Sequence, residues 1–352
     1  MAEKNIVESP VVNQDWLAGC LGREPAELSV VEWAPVGTGQ VAASFRGRLS
    51  WRGGKGPDSI IVKCPSADPT SRETGIKYGL YAKEVAWYRE LRPNTEVNCP
   101  AYFGSLLNEQ TGDFLLVLQD CAPAQQGDQI AGADLAQVRS GITELAHLHG
   151  AFFDKDQLAK SELTRRDPDF SKLRIALYAD FWPGFRDRYK DRIDREILKM
   201  GDFFARKFEE FEMRRLKHFS LAHGDFRLDN LLFEKRVSTA RPYVLDWQTL
   251  GENCPMKDVA YFIGTSFASP VDRKRHEEEL LVQYFSLLRQ SGALFDEKVL
   301  RREYKVQALS GVVMAVISCM LVQRTDRGDE MFALMAERPG YQALELDSVS
   351  FL

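Results

Sequence analysis

The sequence is short of the features that would assign it at a glance. Its six cysteines (Cys20, Cys64, Cys99, Cys121, Cys254 and Cys319) include no CxxC pair and no Cys/His grouping at metal spacing. In a chain of 352 residues this reads as free thiols in a reducing compartment, not as a disulfide framework or zinc site. Positive charge is not in excess. Lys and Arg number 46 against 51 Asp and Glu, a net charge of −5, which leaves no overall electrostatic footprint for nucleic acid. The start, MAEKNIVESPVV, lacks the apolar segment of a secretory signal. The apolar run ALSGVVMAVISCMLV, 308–322, is shorter than the roughly 20 residues needed to span a bilayer. Two serines and a glycine interrupt it, so it reads as a buried core helix. No internal repeat or low-complexity tract occurs. The expectation is a cytoplasmic protein with no nucleic-acid and no membrane partner, and oligomeric state leaves no signal.

What is present is ordinary in amount and uneven in arrangement. The hydrophobic fraction is 44% and the charged fraction 28%, typical of a soluble globular chain, and the length suffices for two domains. NQDWLAGCL predicts a short helix with Asn13 as N-cap. The segment SVVEWAPVGTGQVAASFRGRLSW is rich in β-branched and aromatic residues. RGGKGP forms a turn cluster and SIIVKC a strand, so this part reads as antiparallel strands. A helix is predicted over 75–91, with Leu80, Glu84, Trp87 and Leu91 on one face. FLLVLQD, 114–120, is another strand, and CAPAQQGDQIAG after it is a linker. Beyond the linker the chain turns helical. Leu135, Val138, Ile142, Leu145 and His149 form one apolar stripe behind an Asp134 N-cap. The fold class expected is α+β: a helical extension over 1–27, a small sheet-based domain over 28–120, and a larger mainly helical domain over 121–352.

GTGQVA, from Gly37 through Gly39 to Ala42, fits a glycine-rich phosphate loop. A dinucleotide-binding turn would run on into a helix. A flap over ATP phosphates would be flanked by strands on both sides. Val41, Ala43, Phe45, Leu49 and Trp51 alternate at strand period, which favours the flap. A plain hairpin turn remains open.

The most polar stretch between apolar anchors is LAHGDFRLDNLLF, 221–233. Phosphoryl transfer from ATP needs hard oxygen ligands for a metal, a cation for the phosphates, and a carboxylate to orient the acceptor hydroxyl. Asp225 and Asn230 are five apart, the spacing of a kinase catalytic loop. Sixteen residues on, YVLDW ends an apolar strand at Asp246, a sensible second metal ligand. Upstream, Lys63 ends IIVK, and Glu84 lies on the inward face of the next helix, where a buried carboxylate needs a partner. Each of these has a bland reading alone. Their joint order makes a site.

HGDFRLDN and LDWQ resemble the H-G-D-x-x-x-x-N motif and the metal-binding Asp segment of the aminoglycoside phosphotransferase/choline kinase superfamily. GTGQ, KEVAWYREL, LVLQD and LAHLH are similar to the branch that includes ecdysteroid-kinase-like proteins. The resemblance runs from about Val31 to the end. It implies a two-lobed protein-kinase-like fold, with a small antiparallel-sheet N-lobe and a larger helical C-lobe, ATP in the cleft and Mg2+ as the metal. It implies Asp225 as catalytic base, Asn230 and Asp246 as metal ligands, Lys63 on the phosphates with Glu84 as its partner, and Gln119 and Cys121 at the adenine hinge. The third flap glycine is replaced by Ala42, and Trp-Gln follows Asp246 where protein kinases have Phe-Gly. A protein kinase is disfavoured because 74 residues separate His149 from His223 and no A-P-E element follows Asp246.

The reaction expected is transfer of the γ-phosphoryl group of Mg-ATP to a hydroxyl of a small molecule. The alternative is a catalytically silent nucleotide-binding regulator. Arg227 either stabilises transferring charge or pairs with Asp229 at the surface. His223 and His149 read as structural, and Asp258 as an N-cap or a support for the catalytic loop. The aromatics Tyr178, Phe181, Trp182, Phe185 and Tyr189 pack helices or line an acceptor pocket. The insert around them lacks a dense acidic cluster, which disfavours a polycationic aminoglycoside and leaves an apolar alcohol as the favoured acceptor.

Overall fold

The computed structural model describes residues 10–37, 41–53, 56–108, 110–234, 240–322 and 324–352. The chain divides into two compact units. One comprises Met1–Asn94, Cys99–Pro123 and Leu245–Thr249, and the other Thr95–Asn98, Ala124–Val244 and Leu250–Leu352.

The first unit is built on a five-stranded antiparallel sheet in the order β1-β2-β3-β5-β4. Its strands are β1 (Leu28–Pro35), β2 (Ala42–Trp51), β3 (Ser59–Pro65), β4 (Tyr102–Leu107) and β5 (Phe114–Gln119). Strand period does the sorting. In β3, Ile60, Val62 and Cys64 are buried on one face, which turns Lys63 to the other. Helix α1 (Gln14–Cys20) starts where Asn13 accepts a hydrogen bond from the Trp16 N–H, as its sequence predicts. Its Leu17 and Ala18 join Leu28, Leu49, Ile60, Val62 and Val117 in the core.

The single helix expected over 75–91 is divided. Helix α2 (Pro69–Lys77) is capped by Asp68, and α3 (Leu80–Ala86) begins after Gly79 at φ +62°. A left-handed glycine ends one helix and re-aims the next, and the spacing of apolar residues across it carries no sign of the break. Trp87–Leu91 continues α3 as a wider, π-type turn. Glu84 and Trp87 do point inward, at 1% and 0% exposure.

The second unit contains β6 (Gln125–Gln126), α4 (Leu135–Phe152), α5 (Gln157–Lys160), α6 (Pro168–Tyr189), α7 (Arg195–Met213), β7 (Ser220–Ala222), β8 (Leu231–Phe233), β9 (Tyr243–Val244) and β10 (Gly251–Asn253). Helices α8 (Met256–Ser266), α9 (Pro270–Gln290), α10 (Glu297–Gln307), α11 (Ser310–Leu321) and α12 (Asp326–Glu345) follow. Asp134 caps α4 in a reciprocal capping box with Gln137, and Val138, Ile142, Leu145 and His149 are buried. On α6, Tyr178, Trp182, Phe185 and Tyr189 are buried against α7, where Tyr178 stacks on Phe208 with centroids 4.1 Å apart. Phe181 packs on the same core. These aromatics hold helices together. The apolar stretch Glu297–Leu321 is long and apolar enough to cross a membrane by composition. It is, however, two helices, and 67% of its apolar window is buried within the protein.

Candidate active site

The first unit brings three predicted residues together. Lys63 Nζ donates to Glu84 Oε1 at 2.6 Å and to Asp246 Oδ1 at 3.3 Å. Burial works against the charge on Lys63, but the charges of Glu84 and Asp246 outweigh it and hold the ammonium well above its ordinary value. Asp246 sits at φ +66°, a left-handed conformation that an aspartate tolerates at some cost. Two neighbours over-determine it. Trp247 is fully buried and stacks on Trp87 with centroids 3.5 Å apart, and Gln248 Nε2 donates to Asp246 Oδ2 at 3.1 Å. The Trp-Gln that departs from Phe-Gly is therefore the clamp on the candidate metal ligand.

Gln119 ends β5. Its N–H donates to the Ala101 carbonyl, and its own carbonyl accepts from the Cys121 thiol at 3.9 Å. Cys121 is buried, so its side chain is not the recognising group. Gly37 has φ +74°, while Gly39 lies outside the described residues.

The second unit holds the polar loop between β7 and β8. Leu221, Leu228 and Leu231 are fully buried and anchor it. Gly224 has φ +87°, a conformation that explains glycine between His223 and Asp225. Asp258 does not cap α8, whose N-cap position is Pro255. It stands in the first turn, and its carboxylate accepts the His223 N–H at 2.6 Å and the Gly224 N–H at 3.0 Å. Its Oδ2 also meets His149 Nε2 at 3.3 Å, and His149 Nδ1 meets the Tyr284 hydroxyl at 2.8 Å. Burial opposes ionisation of Asp258, but His149, His223 and Lys257 hold its carboxyl below the ordinary value. Asp258 thus supports the loop, and His149 is a satisfied core residue. His223 Nδ1 accepts the Asp225 N–H at 3.3 Å.

Asp225 is gripped on both oxygens. Oδ2 accepts from Asn230 Nδ2 at 3.1 Å and Arg227 Nε at 3.3 Å, and Oδ1 accepts from the Tyr261 hydroxyl at 3.0 Å. Asn230 Nδ2 also donates to the Asp225 carbonyl at 2.8 Å. With its amide nitrogen committed there, the oxygen of Asn230 is its group for a cation. Arg227 Nη1 pairs with Asp229 Oδ2 at 2.6 Å. The pairing is not a surface one, because both side chains are more than four-fifths buried and Asp229 also accepts from the Gln129 N–H at 2.8 Å. Asp229 braces the loop.

The sequence reading put Trp87 on the inward face of its helix and noted Gln248 after Asp246, but it gave neither of them, nor Tyr261 or Gln129, a role at the site. Gln129 is buried, accepts the Leu228 N–H at 3.0 Å and donates to the Thr265 carbonyl at 2.7 Å. Tyr261 had one usable signal, since it lies one helical turn after Asp258 in MKDVAYFIG. Burial and the Asp225 charge push its phenol well above the ordinary value, so it remains a donor. Among the described residues there is no cluster of three or more His, Cys, Asp or Glu suited to a metal. The amide oxygen of Asn230 in the second unit and the carboxylate of Asp246 in the first are each of the hard type that a cation such as magnesium takes.

A five-stranded antiparallel sheet, a lysine paired to a helix glutamate, and an H-G-D-x-x-x-x-N loop carried on a helical unit define a phosphotransferase of kinase-like, two-lobed α+β fold. Residues 51–292 match the phosphotransferase enzyme family, and the chain belongs to it. The match does not select a branch within the family. Solved structures share the fold. Choline kinase from Cryptosporidium parvum Iowa II aligns with TM-score 0.60 at 10% identity, over 96% of this chain and 97% of that one. Wild-type aminoglycoside 2'-phosphotransferase-IIIa, solved as a GDP complex, aligns with TM-score 0.54 at 14% identity, over 88% and 93%. No curated protein matches the sequence.

Proposed function

We propose that this phosphotransferase is a small-molecule kinase that moves the γ-phosphoryl group of Mg-ATP to an alcohol. The observation that carries this reading is the bridging of Lys63 between Glu84 and Asp246. A lysine kept charged by one buried and one part-exposed carboxylate suits a group that must meet phosphate while its neighbour binds a cation. The GDP of the aminoglycoside phosphotransferase complex supports a nucleoside phosphate as donor. In this reading Asn230 and Asp246 hold magnesium, which supplies charge neutralisation at the phosphates.

The protein's own work is divided. Lys63 orients the α/β-phosphates. Asp225 accepts the hydrogen bond of the acceptor hydroxyl and takes its proton as the new O–P bond forms and the bond from the γ-phosphorus to the bridging oxygen breaks, with ADP as the leaving group. Tyr261 and Asn230 fix the carboxylate, so its reorganisation is small. Arg227 keeps a second charge beside Asp225, where it can offset charge on the transferring group. The backbone carbonyl of Gln119 and the backbone of Cys121 serve the adenine, with Gly37 and Gly39 covering the phosphates. An apolar alcohol is favoured as acceptor, the protein is assigned to the cytoplasm, and neither nucleic acid nor membrane is a partner.

The test is a screen of alcohols coupled to ADP release, with Asp225→Asn as control. The variant is expected to bind Mg-ATP as the wild type does while losing roughly 10²–10⁴-fold in transfer. Undiminished turnover by Asp225→Asn on an identified substrate would remove Asp225 as base. Nucleotide binding without transfer to any alcohol would favour a silent regulator.

A further inference from the structure

The stretch QQGDQ, 125–129, reads in the sequence as part of a linker. In the structure it lies along the Asp225 loop. Gln125 and Gln126 pair with Phe233 and Leu232, as β6 on β8. The Gly127 N–H then donates to the Leu231 carbonyl at 2.9 Å, and Gln126 Nε2 to the Asp229 carbonyl at 2.6 Å. The Gln129 N–H donates to the Asp229 carboxylate at 2.8 Å, and Gln129 Oε1 accepts the Leu228 N–H at 3.0 Å. These bonds fall on Leu228, Asp229 and Leu231, which flank Asn230. The two backbones run so close at Gly127 that a Cβ there would stand 2.6 Å from the Leu228 carbonyl oxygen.

Gln129 is buried, and its amide cannot turn over. The Leu228 N–H can only donate, and the Thr265 carbonyl, 2.7 Å from Nε2, can only accept. Helix α12 holds the stretch from behind. Arg338 is buried, and its guanidinium meets backbone carbonyls. Nη1 donates to Gln129 and Nη2 to Ile130, both at 2.8 Å, and Nη1 also reaches Thr265 at 3.3 Å. A buried charge is costly unless it is hydrogen-bonded, and here residues 129 and 130 supply much of that bonding. A segment that only joined two units would need none of this.

We propose that residues 126–130 form a strap that sets the Asp225 loop, with Gln129 as a positioning residue for Asp225 and Asn230 and Arg338 as its anchor. The kinetic half of the proposal rests on the phosphotransfer reading; the structural half does not. Gln129 acts through Leu228 and Asp229, not on the reacting atoms. Asp229 in turn holds Arg227, whose Nε donates to Asp225. A catalytic group misplaced by about 1 Å costs on the order of 10²-fold in rate.

The experiment compares Gln129→Met with the wild type as full chains. Methionine keeps the length of the side chain without its amide. The first readout is hydrogen exchange of the peptide spanning 226–231. It is expected to quicken at least about tenfold, with α4 and α9 protected as in the wild type. The second is steady-state kinetics on an alcohol found by the ADP-release screen. There kcat should fall roughly 10- to 100-fold while KM for Mg-ATP changes less than about threefold, because Lys63 and Glu84 belong to the other unit. Gln126→Ala, at an exposed position, should show the same pattern more weakly, and it carries the test if Gln129→Met fails to fold. Unchanged exchange over 226–231 in a folded variant would overturn the strap, whether or not an acceptor is found. Faster exchange there with undiminished kcat would overturn the positioning role. So would a loss shared by kcat, KM and the protection of α4 and α9. Transfer to no alcohol by the wild type would remove the phosphotransfer reading and the positioning role with it, leaving the exchange result to decide the strap.

Discussion

Two lysines in this protein are largely withdrawn from water, and their surroundings drive them in opposite directions. Lys63 has Glu84 at 2.6 Å and Asp246 at 3.3 Å, and its ammonium is held. Lys257 has Arg174 and Arg166 for neighbours, and its ammonium is weakened to about 8. Burial works against the charge at both positions. What separates them is the number of carboxylates in direct contact. A buried lysine is thus not in itself a mark of weakened basicity; its immediate neighbours set the sign.

The largest way to break the contrast is Glu84→Gln. It removes the closer partner of Lys63 and leaves a buried cation under-compensated. Breaking such a pair costs about 3–5 kcal/mol, which should appear as a lower denaturation midpoint with unchanged slope. A loss under about 1 kcal/mol would show that Asp246 alone suffices.

Lys257→Met should act in the other direction. The lysine falls from an ordinary 10.5 to about 8 on folding. The folded state therefore carries a penalty that is complete below pH 8 and is relieved as pH rises to 10.5, because in that window the unfolded chain holds the extra proton. The substitution should stabilise by up to about 3 kcal/mol at pH 7, with the gain vanishing by pH 10.5. Lys63 sharpens the comparison. Its folded value is raised, so its contribution is complete below 10.5 and is lost only at higher pH. A stability difference between Lys257→Met and the wild type that shrinks between pH 8 and 10.5 checks the sign for Lys257, against the fall that both share above pH 9 as the buried thiols of Cys64 and Cys254 keep protons that the unfolded chain loses.

The smallest of the three effects is expected from Asp246→Asn, because that contact is longer and its carboxylate is 28% exposed. A loss of about 1 kcal/mol is expected from chemical denaturation without nucleotide. A loss matching that of Glu84→Gln would show the two carboxylates to be equivalent partners.

Much of the site was legible because its signals are local. Asp225 and Asn230 lie five apart on one loop, and Asp134 precedes a regular apolar stripe. Lys63 alternates with buried Ile60, Val62 and Cys64, and Glu84 falls on a face that the spacing already marked. The break at Gly79 was hidden, since a left-handed glycine inside an apolar pattern changes direction without changing composition. Asp258 was placed on the right helix with the capping alternative left open, because an acid near a helix start has two uses and only the position of His223 and Gly224 chooses between them. The brace formed by Gln129 and the Trp87–Trp247 stack were out of reach. Each joins side chains from segments far apart in the chain, and no spacing rule connects them.

Helix α8 has one further consequence, for the kinds of change the chain can absorb. Asp258 and Tyr261 occupy its first turns and serve the loop backbone and the Asp225 carboxylate in that order. One residue inserted between Asp258 and Tyr261 would swing the tyrosine by about 100° while leaving the aspartate in place. Here the length of the segment is as constrained as its letters. Substitutions there can be partial in effect, whereas insertions and deletions would uncouple the carboxylate from its hydroxyl donor outright.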